Sequence, residues 1–226
     1  MHFHLPKPLH GWREFAGEVG IIVVGVLIAL GAEQVVVAYQ TRADVRAFRE
    51  TINHEIGLNL FMYDVRARQF GCETQRVRAL GRWLDQARSG APVPPIDPRS
   101  PIIITPYRSA WDNRNAEVFN HLPSRIREKY AEFYDELNNN WSIMTSEQQD
   151  WGRLASYSEE GPITLADRRT IHPIVGRIAS DNLVLASNLQ FSRDIANVLN
   201  VKAVAPDNTP GDLLSRTARC PTIIGR

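Results

Sequence analysis

The stretch FAGEVGIIVVGVLIALGAEQVVVAY, residues 15–39, is a long apolar run near the start of the chain. Its central part, residues 19–32, carries no charged side chain. The whole stretch exceeds the roughly 20 residues that a helix needs to cross a bilayer. Trp12 and Tyr39 lie near its two ends, where interfacial aromatic residues occur in membrane helices. The sequence therefore predicts one transmembrane helix at residues 15–39, preceded by a short basic tail at residues 1–14.

Two other interpretations of this stretch stay open. Ala29-Leu30-Gly31 resembles the small-x-small cleavage site of a signal peptide, which would release a secreted domain. Against cleavage, Glu18 lies where the apolar region should begin, and the helical pattern continues beyond Gly31 without a breaker. A buried helix of a soluble protein is the third interpretation, but a helix that is apolar all round needs lipid or a very deep core. An uncleaved membrane anchor is the preferred prediction.

One side of the predicted membrane helix combines small and polar residues. At about 100° per residue these positions form a single stripe with Glu33 beside it. The residues are Glu18, Ile22, Gly25, Ala29, Ala32 and Glu33. Small residues allow a second backbone to approach closely, and a polar group is better placed against protein than against lipid. The stripe predicts that the helix forms a homo-oligomer or docks on another membrane protein; alternatively, both glutamates merely reach headgroup water.

The basic residues on the two sides of the helix indicate its orientation only weakly. Lys7 and Arg13 precede it, and Arg42, Arg46 and Arg49 follow it. Because a short basic tail that stays inside is the simpler insertion, we expect a cytoplasmic N-terminus. The predicted location is the bacterial inner membrane, with the following domain in the periplasm.

Residues 17–30, GEVGIIVVGVLIAL, resemble the opening of a group of uncharacterised bacterial single-pass membrane proteins. Those proteins also have a short basic tail, a Glu-led apolar run ending Gly-x-Leu-Ile-Ala-Leu, and then a charged helix. The resemblance covers roughly residues 5–60, although Gly31-Ala32-Glu33 departs from the Gln-x-Asn pattern of many members. It implies a membrane anchor and an α-helical domain, and it implies no activity.

The rest of the chain shows helical periodicity and little sign of strands. Residues 41–70, 73–88, 124–155 and 164–200 each carry apolar side chains at steps of three or four. Four such helices predict an all-α fold in which the membrane helix continues into an antiparallel bundle at residues 40–200. A proline-rich crossover is predicted at residues 90–106, and an irregular C-terminal tail at residues 201–226.

Local signals place the ends of these helices and their apolar faces. Gly71 predicts a break before the second helix, and a short helix is expected at residues 109–119. Ser124 is the expected cap of the long helix after Pro123, and Thr164-x-x-Asp167 is typical of a helix start. The apolar stripe after Pro123 consists of Ile126, Tyr130, Phe133, Leu137, Trp141, Met144, Trp151 and Ala155. The apolar positions of the last helix include Ile171, Val175, Ile178, Leu185, Leu189, Ile195 and Leu199.

Net charge and cysteine content give little indication of a partner or a site, and no nucleic-acid partner is predicted. The formal net charge of the 226 residues is +1, which gives no argument for a nucleic-acid partner. Cys72 and Cys220 form no Cys-x-x-Cys motif. In an oxidising compartment they could form a disulfide, and otherwise they are unrelated thiols; the sequence leaves both alternatives open.

No complete catalytic, cofactor or metal motif is present in the sequence. His54-Glu55 begins an H-E-x-x-H motif, but Leu58 replaces the second histidine. Two Glu–His pairs at helical spacing, Glu50 with His54 and Glu117 with His121, are a weak metal signal. We therefore predict a non-catalytic, membrane-anchored scaffold, sensor-like or interaction module without a cofactor. The alternatives are an enzyme with a metal site inside the bundle and a secreted helical ligand-binding protein.

Overall fold

The computed structural model describes residues 11–87, 92–157 and 161–224. The structure is 76% helical and, over those described ranges, contains no strand. The predicted all-α class is thereby confirmed. The chain divides into two units, residues 1–48 and residues 49–226.

Helix α1 spans Gly11–Ala67 and includes the long apolar run. In the first unit its large apolar side chains are exposed, with Ile21 76% and Ile28 67% accessible. None of the most apolar 18-residue window is buried. In the described part of the chain this is the one helix long and apolar enough to cross a membrane.

Over its described residues, the second unit contains six further α-helices. They are α2 (Phe70–Gln86), α3 (Ser109–Asp112), α4 (Ala116–Asn120), α5 (Ser124–Leu154), α6 (Leu165–Leu199) and α7 (Leu213–Thr217). Gly71, predicted to break the helical pattern, lies inside α2, and the interruption falls at residues 68–69 instead. The predicted single helix at residues 109–119 is divided into α3 and α4.

Helix α5 runs in the same direction as residues 49–67 of α1. Three side-chain hydrogen bonds join the two helices in register: Asn53 with Tyr130 (2.8 Å), Tyr63 with Asn140 (3.2 Å) and Arg66 with Glu147 (2.7 Å). The partners advance together along both helices, which defines a parallel pair. A parallel pair needs a long connection, and α2 together with the proline-rich crossover provides it.

Helix α6 runs antiparallel to the end of α1 and to α2. Arg193 near the end of α6 binds Asp64 of α1, whereas Asn182, nearer its start, binds Thr74 of α2. A short connection after α5 also returns the chain along α5. The antiparallel packing of α6 with its neighbours therefore encloses the core of the second unit.

The apolar stripes that predict the helices form this core. Along α6 all seven predicted positions are buried: Ile171, Val175, Ile178, Leu185, Leu189, Ile195 and Leu199. Along α5 five of the predicted positions are buried: Tyr130, Phe133, Leu137, Met144 and Trp151. Helical periodicity therefore identified the packed faces of both helices.

Both ends of α6 follow local capping rules. The Thr164 side chain accepts a hydrogen bond from the Asp167 backbone N–H at 3.1 Å, and Asp167 accepts one in return from the Thr164 N–H at 2.9 Å. This reciprocal pair is the predicted capping box. Asn200 ends the helix in the left-handed conformation, with φ of 58°. At α5, by contrast, the predicted cap Ser124 is wrong, because Pro123 occupies the N-cap position.

The crossover and the C-terminal tail pack against the bundle. An isolated antiparallel bridge joins Val93 to Gly161, and another joins Ile96 to Ile224. The Trp83 indole N–H donates to the Pro94 carbonyl at 2.8 Å. The tail includes α7, and Ile223 is 3% exposed within the core. These contacts lack a helical period, so the sequence did not reveal that the tail is packed.

Candidate functional site

The predicted helix-association stripe lies on the exposed surface of α1. Glu18, Gly25, Ala29, Ala32 and Glu33 are all exposed, and so is Ile22. A Cβ added at Gly25 would meet nothing within 4 Å. Within the described residues this surface is therefore open, as a surface that binds lipid or a second helix must be.

A disulfide joins α2 to the C-terminal tail. Cys72 in α2 and Cys220 in the tail are bonded, with an S–S distance of 2.11 Å and a Cα–Cα distance of 5.2 Å. The bond links positions 148 residues apart. Of the two alternatives that the sequence left open for these cysteines, the structure contains the bonded one.

The centre of the bundle contains a buried ion pair between α1 and α5. The Arg66 guanidinium donates to the Glu147 carboxylate at 2.7 Å, and the two side chains are 0% and 3% exposed. The Arg66 guanidinium also lies 5.2 Å from the centre of the Phe70 ring. Burial raises the pKa of Glu147, an effect that the Arg66 charge opposes.

A second buried ion pair, between Glu73 and Arg76, lies within α2. The Arg76 Nη1 contacts both carboxylate oxygens of Glu73 at 3.0 Å, and its guanidinium lies 4.3 Å from the Trp151 ring centre. Burial raises the pKa of Glu73, with Arg76 and then Arg66 opposing the shift. Because guanidinium groups stack well on aromatic faces, Trp151 helps to compensate the buried charge.

Asp150 of α5 also forms ion pairs. Its carboxylate accepts from Arg153 and Arg177 at 2.8 Å, and Asp150 itself is 1% exposed. Nearby Asp181 has a carboxylate oxygen that is buried without a hydrogen-bond donor among the described residues. Burial raises the pKa of Asp181, and the Asp150 charge raises it further.

Glu55, the acid of the incomplete H-E-x-x-H motif, has a structural role. Its carboxylate accepts hydrogen bonds from the Ala110 and Trp111 backbone N–H groups at 2.6 and 3.2 Å. The Tyr134 hydroxyl donates to it at 2.5 Å, and burial, followed by Glu55, raises the pKa of Tyr134. The Trp111 ring stacks on the Tyr134 ring at 4.5 Å. Glu55 therefore holds the chain at residues 110–111 against α1.

The four residues of the weak metal signal are not brought together as a site. Glu50, His54, Glu117 and His121 are all exposed. Over the ranges 11–87, 92–157 and 161–224, no group of three or more metal-ligating side chains is present.

The buried charges were not predicted from the sequence, although it contains a signal for them. Arg66 follows Tyr63 by three positions, and Glu147 follows Met144 by three. Each charge therefore continues an apolar stripe, where a residue facing the core is expected. A charged residue on such a stripe indicates a buried partner, because an unpaired buried charge is very costly.

No protein-family model matches the chain, and neither the search of curated proteins nor the search of solved structures found a match.

Proposed function

We propose that this chain is a single-pass inner-membrane protein whose disulfide-closed helical domain acts outside the cytoplasm as an interaction module. The observation that carries the proposal is the Cys72–Cys220 disulfide, together with the exposed apolar helix near the N-terminus. Disulfides persist in oxidising compartments such as the periplasm and are rare in the cytosol. A cytoplasmic N-terminal tail followed by one membrane helix delivers the domain to that side.

The engagement of the buried ionisable groups supports a binding role over a catalytic one. Arg66 is paired with Glu147, Arg76 with Glu73, and the Glu55 carboxylate with backbone N–H groups. Each pair joins separate segments or stabilises one turn of a helix. Because these groups bind one another or the backbone, they stabilise the bundle, as is expected of a domain that presents a fixed surface to a partner.

A partner at the membrane helix is part of the proposal. The stripe containing Gly25 and Ala29 is open, and its small residues suit close helix packing. We expect a homo-oligomer, and replacing both residues with leucine should weaken it. Crosslinking in membranes measures this, with Val24 and Ile28 replaced by leucine as the control on another part of the helix surface.

Topology is tested with a C-terminally tagged copy in intact bacterial spheroplasts. Membrane and soluble fractions are separated, protease is added from outside, and free thiols are alkylated before and after reduction. The proposal expects a membrane-bound tag that protease removes, with Cys72 and Cys220 alkylated only after reduction.

Two results would contradict the proposal in different ways. A membrane-bound tag that resists protease, with thiols alkylated without reduction, places the domain in the cytoplasm. A soluble product that is shorter by about 31 residues indicates cleavage near Gly31 and a secreted ligand-binding protein.

A further inference from the structure

A cavity of about 360 Å³ lies beside the disulfide, and arginine dominates its lining. Three segments line it: residues 69–76, residues 99–101 and residues 216–221. Four arginines and one glutamate contribute its charged groups: Arg76, Arg99, Arg216, Arg219 and Glu73. The volume falls within the range of about 300–1,000 Å³ for sites that bind small molecules.

Three of the four arginines are available to a ligand. Arg99 pairs with Asp97, and Arg216 pairs with Asp212, but the side chains of both pairs are 41–60% exposed. Exposed pairs contribute only about 0–1 kcal/mol, so a multivalent anion can compete for these arginines. The Arg219 side chain has no ion-pair partner among the residues that the structure describes. Arg76, by contrast, is occupied by Glu73.

The three walls of the cavity are tied to one another. The disulfide connects α2 to the wall at residues 216–221. The Arg76 Nη2 donates to the carbonyls of Asp97 and Arg99 at 3.3 and 2.5 Å, which connects α2 to the second wall. The Asp97 N–H donates to the Ile223 carbonyl at 2.8 Å and connects the second wall to the tail. The walls of the pocket are therefore held in place before a ligand binds, and a ligand has to order only the exposed arginine side chains.

We propose that this pocket binds a phosphomonoester or diphosphate group through Arg99, Arg216 and Arg219. Planar guanidinium groups bind phosphate oxygens through two parallel hydrogen bonds, and a phosphoryl group offers enough oxygens for several arginines at once. Ser100 also lines the pocket, and its hydroxyl would add a neutral donor. This site does not depend on the membrane orientation proposed above.

Titration calorimetry of the oxidised full-length protein with inorganic pyrophosphate tests the proposal. The protein is held in nanodiscs of phosphatidylcholine, which contain no phosphomonoester. We expect the variant R216Q/R219Q to bind pyrophosphate about tenfold more weakly or worse, because it lacks two charge-assisted contacts. The control R125Q/R169Q removes two exposed arginines of α5 and α6 outside the pocket and should retain the affinity.

The outcomes separate a built site from general charge attraction. Absence of pyrophosphate binding, or equal weakening in both double variants, would overturn the proposal. Thermal unfolding without ligand checks that R216Q/R219Q remains folded. R219K keeps the positive charge at position 219 and should therefore bind pyrophosphate more tightly than R216Q/R219Q. Citrate should bind more weakly than pyrophosphate; equal binding would overturn the assignment to phosphate.

Two further arms define the ligand source and the role of the disulfide. Adding phosphatidic acid to the nanodiscs weakens pyrophosphate binding if a lipid phosphomonoester occupies the pocket, and unchanged affinity assigns the pocket to a soluble phosphate compound.

Reduction of the disulfide should weaken pyrophosphate binding in the wild type because the wall at residues 216–221 is then no longer bonded to α2. Undiminished affinity in the reduced protein would contradict a preorganised pocket.

Discussion

Arg66 and Glu147 place opposite charges in the middle of the bundle, where neither side chain reaches water. Removing one member leaves the other charged and buried, so Glu147→Gln should lower the free energy of unfolding by about 3–5 kcal/mol. Urea unfolding of the full chain in detergent, followed by tryptophan fluorescence, measures the change.

An exposed pair provides the control for this prediction. Asp64 and Arg193 also join two helices, but their side chains are 43% and 33% exposed. Asp64→Asn should cost only about 0–1 kcal/mol. Replacing Arg66 and Glu147 together with methionine should recover most of the lost stability. A small effect of Glu147→Gln would mean that water reaches the pair.

Asp181 is expected to make the domain less stable as pH rises. Burial and Asp150 raise its folded-state pKa above the ordinary 3.8, so the folded state binds the proton more tightly than the unfolded state. The stabilisation is therefore fully present below about pH 3.8 and is lost as pH rises through the folded-state pKa. Asp181→Asn should have a higher melting temperature than the wild type at pH 7, with the difference shrinking on acidification.

Asp167 should show the opposite sign. Hydrogen bonds from Thr164 lower its pKa, so its contribution is present at neutral pH and is lost as pH falls through the folded-state pKa. Asp167→Asn should therefore reduce the melting temperature at pH 7. If the melting temperatures of both variants differed from the wild type in the same direction over this pH range, burial would not be what raises the pKa of Asp181.

The buried charges show what can and what cannot be predicted from single residues. A charge on an apolar stripe, such as Glu147, predicts burial but not its partner, because the partner Arg66 lies 81 positions away. The register between α1 and α5 decides that pairing, and register depends on tertiary packing. The arginine pocket is still less visible in the sequence, because its walls come from three separate segments.

At the scale of elements, Gly57 allows the tail to approach α1. A Cβ at this position would lie 2.8 Å from the Lys202 carbonyl oxygen and 2.9 Å from the Val204 Cγ2. The Val204 N–H also donates to the Gly57 carbonyl at 2.9 Å. Gly57→Ala should therefore reduce the free energy of unfolding by about 1–3 kcal/mol through overpacking, despite the better helix propensity of alanine.

Gly81 is the matched control for this substitution. It lies inside α2, and a Cβ there would meet nothing within 4 Å. Gly81→Ala should raise the free energy of unfolding by about 0.4–1 kcal/mol because the unfolded chain loses freedom. Urea unfolding of both variants makes the comparison, and stabilisation by both would show that the tail does not contact Gly57.

Elements with a repeated apolar pattern could be predicted, and elements held by single contacts could not. The stripe of α6 and its capping box follow from local spacing, and both are present. The break before α2 was misplaced at Gly71, because a glycine is tolerated inside a helix when packing favours it. The packed tail was missed because Ile223 and the Asp97–Ile223 hydrogen bond have no period to detect.

At the scale of the whole molecule, the disulfide connects α2 to the C-terminal tail of the second unit. It closes a loop of 148 residues, which restricts the unfolded chain far more than the folded one. The chain-entropy model gives a stabilisation of about 4–5 kcal/mol for so long a loop. The tail also contributes buried surface through Ile223, which the intact bond helps to retain.

We therefore expect the double variant Cys72→Ser, Cys220→Ser to lose about 4–5 kcal/mol of the free energy of unfolding. Reducing agent should destabilise the wild type equally and leave the double variant unchanged, because the bond is the only difference. Trypsin provides a local measurement, since Arg216 and Arg219 lie in the tail and are exposed. If the double variant and the wild type unfold at the same urea concentration and are cut at the same rate, the tail is held by its packing alone.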